Sequence, residues 1–305
     1  MDTETESCIV LRKSAMMGHC YGVRKILALV DGVLKENVTK EDIYLCRPLV
    51  HNNQVTQRLI ERGLKLVFNV DAIPKGAITI VGPHSVNLDE LKTLTENTRL
   101  IDTTCEKVKR VFTSALGLQD RCEEVIFVGR RDHTEAKALQ IAIPGLIIVQ
   151  DNEDVPDRID GRAGVVSQST LSHERFDEVV ARLRAVLTDL EVVQTGCDEV
   201  EGILKASLEL AHHVDLMLVI GGYHSHNTKQ LAEACSTLVA TKHIETALEI
   251  DPEWITNETK TVGLTAGAST PDWVIDEVER RSKTIIDSKA LVASVNKPPE
   301  ATTTK

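Results

Sequence analysis

The sequence predicts an α/β fold made of three related subdomains with mainly parallel sheets. Short apolar runs alternate with stretches of three- and four-residue apolar spacing along nearly the whole chain, the alternation that builds parallel sheets from strand and crossover helix. Three of the runs, Ile78 to His84, Val125 to His133 and Leu216 to His224, share one form: apolar residues, then glycine, then a histidine-bearing loop. Three cysteines, Cys20, Cys105 and Cys197, each stand at the start of an amphipathic helix. Polar loops of such sheets gather at the carboxyl ends of strands, beside the amino ends of helices, so each subdomain is expected to bring one cysteine and one polar loop to a shared centre. The expected divisions are 21–105, 106–196 and 197–287, with 6–20 packing at the centre and 288–305 forming a loose tail.

Met1 to Thr5 read as disordered, and Cys8 to Leu11 as a short first strand leading to Cys20. Val23, Ile26, Leu27 and Val30 mark the buried face of a helix that runs to about Glu36. IYLCRPLVHN is a strand and a loop carrying His51; a helix from about Asn53 to Arg62, the strand KLVFNV and the run AITIVGPHS follow. LIDTTCEKVKRV, Leu100 to Val111, stops an apolar run at Thr103 and Thr104, either of which is expected to cap the helix opened by Cys105. EEVIFVGRRDHTEAKAL repeats the strand, the loop and the helix, and AGVVSQSTLS ends a further strand in hydroxyl residues. Phe176, Val179, Val180, Leu183, Val186 and Leu187 then trace a helix face. After Cys197 the spacing of Val200, Ile203, Leu204 and Leu208 is helical; DLMLVIGGYHSHNTKQL and TVGLTAGASTP close the pattern, and apolar periodicity stops at about Lys289.

With 305 residues, 42% of them apolar, the chain can bury a substantial core. Its 35 basic and 46 acidic residues give a net charge of −11, which argues against nucleic acid or an anionic membrane as partner. No apolar run approaches the length of a bilayer span, and the acidic start MDTETES does not read as a secretory signal, so the expected location is cytoplasmic. Seven cysteines fit reduced thiols in metal or redox work better than a disulfide framework.

The helix dipole and free N–H groups at a helix start favour a thiolate, the form that binds metal. Three thiolates from three subdomains suit either a zinc ion with one open position or a [4Fe–4S] cluster with one open iron. Taken singly, each cysteine is equally well a small buried apolar residue, and Cys8, Cys46, Cys122 and Cys235 are assigned to packing. His51, His84 and His133 sit where apolar runs give way to loops, positions suited to hydrogen-bonding phosphate oxygens. Glu135, two residues beyond His133, is either a proton donor with a raised pKa or a solvated helix-start carboxylate. Ser225, Asn227 and Ser269 supply neutral donors at strand ends, with turn chemistry as the simpler account.

The motifs GHCYGV, LVHN, PHSV, DTTCE, DHTE, SQSTLS, SHN and TAGASTPD, spread from about Val10 to Arg281, resemble those of the LytB-type 4-hydroxy-3-methylbut-2-enyl diphosphate reductases. The resemblance implies three α/β domains around a central [4Fe–4S] cluster held by Cys20, Cys105 and Cys197. It implies a diphosphate held by His51, His84, His133, Ser225, Asn227 and Ser269, with Glu135 in a proton relay and Ser169 near the substrate hydroxyl. An iron–sulfur oxidoreductase of isoprenoid biosynthesis is thus expected, acting on an allylic diphosphate with an external electron donor such as ferredoxin or flavodoxin.

Departures from the family pattern cluster near the implied pocket: Glu106, Ser85 and Thr134 replace Pro, Gly and Pro, and His226 replaces a serine, where it is expected to join the substrate ligands. His19 and Tyr21 flank the first cysteine in place of Phe and Ala, and DEVEG follows Cys197 in place of a polar, Asn-bearing stretch. Two alternatives stand beside the reductase. One is a paralogue applying the same chemistry to another phosphorylated or acidic substrate. The other is a non-catalytic iron–sulfur sensor, which would need neither Glu135 nor the hydroxyl ligands.

Overall fold

The computed structural model describes residues 9–37, 41–82, 88–159, 161–256 and 258–295. Met1 to Thr5, Cys8, His84, Ser85 and the tail residues 296–305 lie outside the described residues. In chain order the elements are β1 (Val10–Lys13), α1 (Tyr21–Glu36), β2 (Ile43–Cys46), α2 (Asn53–Glu61), β3 (Leu64–Val67), β4 (Ile78–Val81), α3 (Leu88–Asn97) and β5 (Arg99–Asp102). Next come α4 (Glu106–Gln119), β6 (Glu124–Val128), α5 (Thr134–Ala142), β7 (Ile147–Val149), β8 (Ala163–Ser167), α6 (His173–Val186) and β9 (Leu190–Val193). The chain continues through α7 (Asp198–Ala211), β10 (Leu216–Ile220), α8 (His226–Ser236), β11 (Ala240–Ile244), β12 (Thr261–Ala266) and α9 (Asp272–Val295).

The strands form three four-stranded sheets, ordered β3-β2-β4-β5, β7-β6-β8-β9 and β11-β10-β12-β1. Every strand pairing in them is parallel. The three are built alike. Each begins on an inner strand, sends its second strand to one edge and its third to the other side, so the order reverses between the first and third strands. The fourth place is taken by β5, β9 and, in the last sheet, by β1 from the start of the chain. A reversal of this kind opens a crevice at the carboxyl ends of the two inner strands, where α/β proteins bind ligands. The chain divides into two compact units, one of Met1–His19 with Ile203–Lys305 and one of Cys20–Gly202.

Within the first unit, β10 is buried at all five positions, and Leu218, Ile220 and Leu264 pack with Val274, Val278 and Ile285 of α9. Within the second unit, Ile26 and Val30 of α1 pack with Leu45 and Ile80, while Val111, Ala115 and Leu118 of α4 cover Phe127 and Val166. Inner parallel strands are covered on both faces and therefore read as continuous apolar runs, which is why they were visible in the sequence. The helix α9 reaches Val295, past residue 288 where a loose tail was expected. Lys289, Ala290 and Leu291 are strong helix formers and extend the helix without a buried face, Leu291 being 66% exposed. No described helix is long and apolar enough to cross a membrane.

Candidate functional site

The loops that follow the fourth strand of each sheet carry the three cysteines: Cys105 after β5, Cys197 after β9 and Cys20 after β1. Each cysteine is the residue before a helix, and its carbonyl accepts the first helical hydrogen bond, from Arg24 to Cys20, from Lys109 to Cys105 and from Glu201 to Cys197. Thr103 and Thr104 do not cap α4 as expected; Cys105 occupies the cap position without a side-chain bond. Thr103 instead donates its hydroxyl to the Val81 carbonyl at 2.7 Å, fastening the start of α4 to the end of β4.

The three thiols line one cavity of about 490 Å³ within the second unit, together with Gly22, Thr104 and Glu199. A Cβ on Gly22 would lie 2.7 Å from Cys105 Sγ and 3.7 Å from Cys20 Sγ, so a glycine is required for the thiols to approach. The Cys20 thiol corrects the expectation of a ready thiolate: burial pushes it up to about 11, against a hydrogen bond from Val23 N–H, and Cys197, Glu199 and Cys105 add to the rise. Burial outweighs the helix terminus, and the two neighbouring sulfurs add to the opposition at Cys20 unless a cation joins them. Among the described residues no group of three His, Cys, Asp or Glu is spaced for a single metal ion. Cys46 and Cys235 are fully buried and Cys122 packs against an apolar cluster, as assigned.

The loops after the two inner strands carry the polar candidates. His51 is exposed on the loop after β2, beside Asn52, whose Oδ1 caps α2 by accepting Val55 N–H at 3.1 Å. After β6, His133 caps α5 with Nδ1 accepting Glu135 N–H at 3.3 Å, which places the ring proton on Nε2. Glu135 is completely buried, which overturns the solvated helix-start reading. Its carboxylate accepts Ser169 N–H at 2.9 Å and also the Ser169 hydroxyl. Burial raises its pKa to about 7, although both bonds from Ser169 favour the ionised form. Ser169 sits on the loop after β8, so the crevice between β6 and β8 brings Glu135, expected in a proton relay, into contact with Ser169, expected near the substrate hydroxyl. Neither Glu135 nor His133 is among the residues that line the thiol cavity.

In the first unit, Ser225, His226 and Asn227 begin α8 after β10, and Ser269 follows β12. Ser225 is buried, with its Oγ accepting Thr228 N–H at 3.3 Å and the Thr228 hydroxyl at 3.0 Å. Gly221, at φ +150°, permits the sharp exit from β10: a Cβ there would meet Thr270 Oγ1 at 2.6 Å. Ser269 Oγ is shielded and has no hydrogen-bond partner, so a polar ligand would satisfy it.

Sequence reading missed three contributors. Gly22 was passed over inside GHCYGV, although a glycine two residues into a helix is itself a signal of close approach. Gln168 was overlooked among hydroxyl neighbours; it accepts Arg130 N–H at 3.0 Å and donates to Thr170 at 2.7 Å, tying the Glu135 loop to the Ser169 loop. Glu199 was noted only as part of DEVEG, though three carboxylates in one helical turn after a cysteine marked the place.

Comparison with known proteins shows the family. A family model described as LytB protein matches residues 10–283. A 4-hydroxy-3-methylbut-2-enyl diphosphate reductase of Geobacter metallireducens is 36% identical, the match covering 92% of this chain and 99% of that protein. Its namesake in Clostridioides difficile is 33% identical over 86% of this chain and 94% of its own. A solved structure of (E)-4-hydroxy-3-methyl-but-2-enyl diphosphate reductase, described as the terminal enzyme of the non-mevalonate pathway, is 32% identical with a TM-score of 0.66, covering 90% of this chain and 100% of that one. The Plasmodium falciparum E-1-hydroxy-2-methyl-but-2-enyl-4-diphosphate reductase, at 23% identity and a TM-score of 0.79 over 95% and 89% of the two chains, supports the fold alone. A family match along nearly the whole chain, with relatives this similar over nearly their full length, shows that the chain belongs to the LytB family.

Proposed function

We propose that this chain is a 4-hydroxy-3-methylbut-2-enyl diphosphate reductase, which takes two electrons and two protons to remove an allylic hydroxyl as water, giving isopentenyl and dimethylallyl diphosphates. The observation that carries the reading is the meeting in one cavity of three thiols, each on the residue just before a helix, in a chain whose relatives bear that name. Cys20, Cys105 and Cys197 hold a [4Fe–4S] cluster in this reading, and the Gly22 cradle and the raised Cys20 thiol fit such a cationic guest. When bound, the cluster supplies the two electrons, received from an external donor such as ferredoxin or flavodoxin, and an iron without a protein ligand for the substrate hydroxyl. The six described cysteines are free thiols, which fits a reducing compartment and a cytoplasmic location.

The protein's own work is to hold the diphosphate and to deliver protons. His51, His84, His133, Ser225, His226, Asn227 and Ser269 are the ligands assigned to the diphosphate; the unpartnered Ser269 hydroxyl supports its place in the assignment. Glu135 in its acid form passes a proton to Ser169 Oγ, and the Ser169 hydroxyl passes its own to the leaving oxygen, since a hydroxyl can accept and donate at once. Anaerobically reconstituted, reduced protein should consume the allylic diphosphate; cluster-loaded protein that leaves it untouched would overturn the assignment.

Two smaller effects are expected. Gly22→Ala should lower iron and sulfide content on reconstitution although alanine favours the helix by about 1 kcal/mol, because the new methyl occupies the space beside Cys105 Sγ; loading equal to wild type would contradict the cradle. His51→Ala, at an exposed loop position, should weaken inorganic diphosphate binding by about 1 to 3 kcal/mol, the loss of one hydrogen bond to a charged group. Calorimetry with the anion alone reads this directly, and unchanged affinity removes His51 from the site.

A further inference from the structure

The helix α7, opened by Cys197, begins with carboxylates at Asp198, Glu199 and Glu201, and each of them reaches a different helix of the second unit. Lys107 of α4, the helix opened by Cys105, donates to Asp198 at 3.0 Å. The first amide of α6, His173 N–H, donates to Glu201 at 3.1 Å. The first amide of α1, Tyr21 N–H, donates to Glu199, whose other oxygen lies 3.7 Å from the Arg24 guanidinium. The three contacts are unequal. The Asp198 side chain is 72% exposed, where an ion pair contributes little. Glu201 caps a helix without touching the thiol cavity, whereas Glu199 lines it beside Cys20, Cys105 and Cys197.

We infer that Glu199 is a positioning residue for the cluster: by accepting the Tyr21 amide it locks the start of the Cys20 helix to the start of the Cys197 helix, and its charge keeps the cluster's reduction potential low. The inference rests on the cluster assignment above. Its first half follows from helix-end chemistry. The opening amides of α1 need acceptors, and Cys20 Sγ reaches only Val23 N–H, at 3.4 Å; the Tyr21 amide is met from 178 residues away, so the bond fixes two cysteine-bearing segments against each other. The second half follows from Coulomb's law. Reduction adds an electron, and a carboxylate that lines the cavity beside the three sulfurs disfavours it.

Glutamine and alanine separate the two roles. Glu199→Gln keeps an oxygen for Tyr21 N–H and loses the charge, so the reconstituted protein should hold as much iron as wild type, with its midpoint potential shifted positive when followed by electron paramagnetic resonance. Glu199→Ala loses both, and should show the positive shift together with faster loss of brown absorbance in chelator. Glu201→Gln is the control, since it alters a cap away from the cavity and should leave the potential unchanged. An unshifted potential in Glu199→Gln, an equal shift in Glu201→Gln, or wild-type cluster retention in Glu199→Ala would each overturn the inference. Wild-type protein that takes up no cluster would instead overturn the assignment on which it rests, and the inference with it.

Discussion

Replacing Cys20, Cys105 or Cys197 by serine, one at a time, is expected to abolish the brown absorbance of anaerobically reconstituted protein. Serine is close to cysteine in size and is a favoured residue at the helix cap that Cys20 and Cys105 occupy, so those helices should persist in the variants. What is lost is a soft, ionisable sulfur, which iron–sulfur clusters require and a hydroxyl does not replace. Cys46→Ser and Cys235→Ser are the controls. Both positions are fully buried in apolar surroundings, so a hydroxyl there should lower stability by about 1 to 3 kcal/mol while leaving the cluster in place. Circular dichroism and iron analysis on the same samples separate the two effects. Colour lost in Cys46→Ser and retained in Cys105→Ser would reverse the ligand assignment.

The inner strands and the cysteines were legible in the sequence for a common reason: both are repeated. The inner strands β2, β4, β6, β8, β10 and β12 are largely buried and stand out as mainly apolar runs, and three cysteines recur in one context. The edge strands β7, β9 and β11 were not legible. ATKHI in β11 is mostly half-buried and mixes polar with apolar residues, because an edge strand has one neighbour and partial cover. The strand order, and with it the crevice between β6 and β8 that brings Glu135 to Ser169, is not encoded in periodicity at all. It depends on which side each crossover helix packs. At the site, sequence gave residue types and missed their environments. The helix dipole argued for a thiolate at Cys20, and burial reversed it; the dipole equally allowed a solvated Glu135, and burial excluded it.

Glu135→Gln is expected to lose about 10² to 10⁴ in turnover, the usual contribution of a placed general acid, while keeping cluster absorbance and diphosphate affinity. The buried carboxyl has its pKa raised to about 7 by burial, against the opposing bonds from Ser169, so near neutral pH it both holds and releases a proton. The amide of glutamine keeps the shape and still accepts Ser169 N–H, but has no proton to give. Wild-type turnover should therefore fall as pH rises through about 7, and the residual rate of the variant should lose that dependence. Stability supplies a second readout with a definite sign. Folded Glu135 holds its proton up to about 7, against an ordinary 4.5, so its contribution to stability is full below the ordinary value and is lost as pH rises through about 7. Glu135→Gln removes that loss, and the variant should be at least as stable as wild type at pH 8. A helix-start carboxylate acting through the dipole predicts the opposite pair of results: near-normal turnover and a lowered melting temperature at pH 8. Single-turnover rates of reduced protein with the allylic diphosphate, measured beside melting curves across this pH range, decide between the two roles.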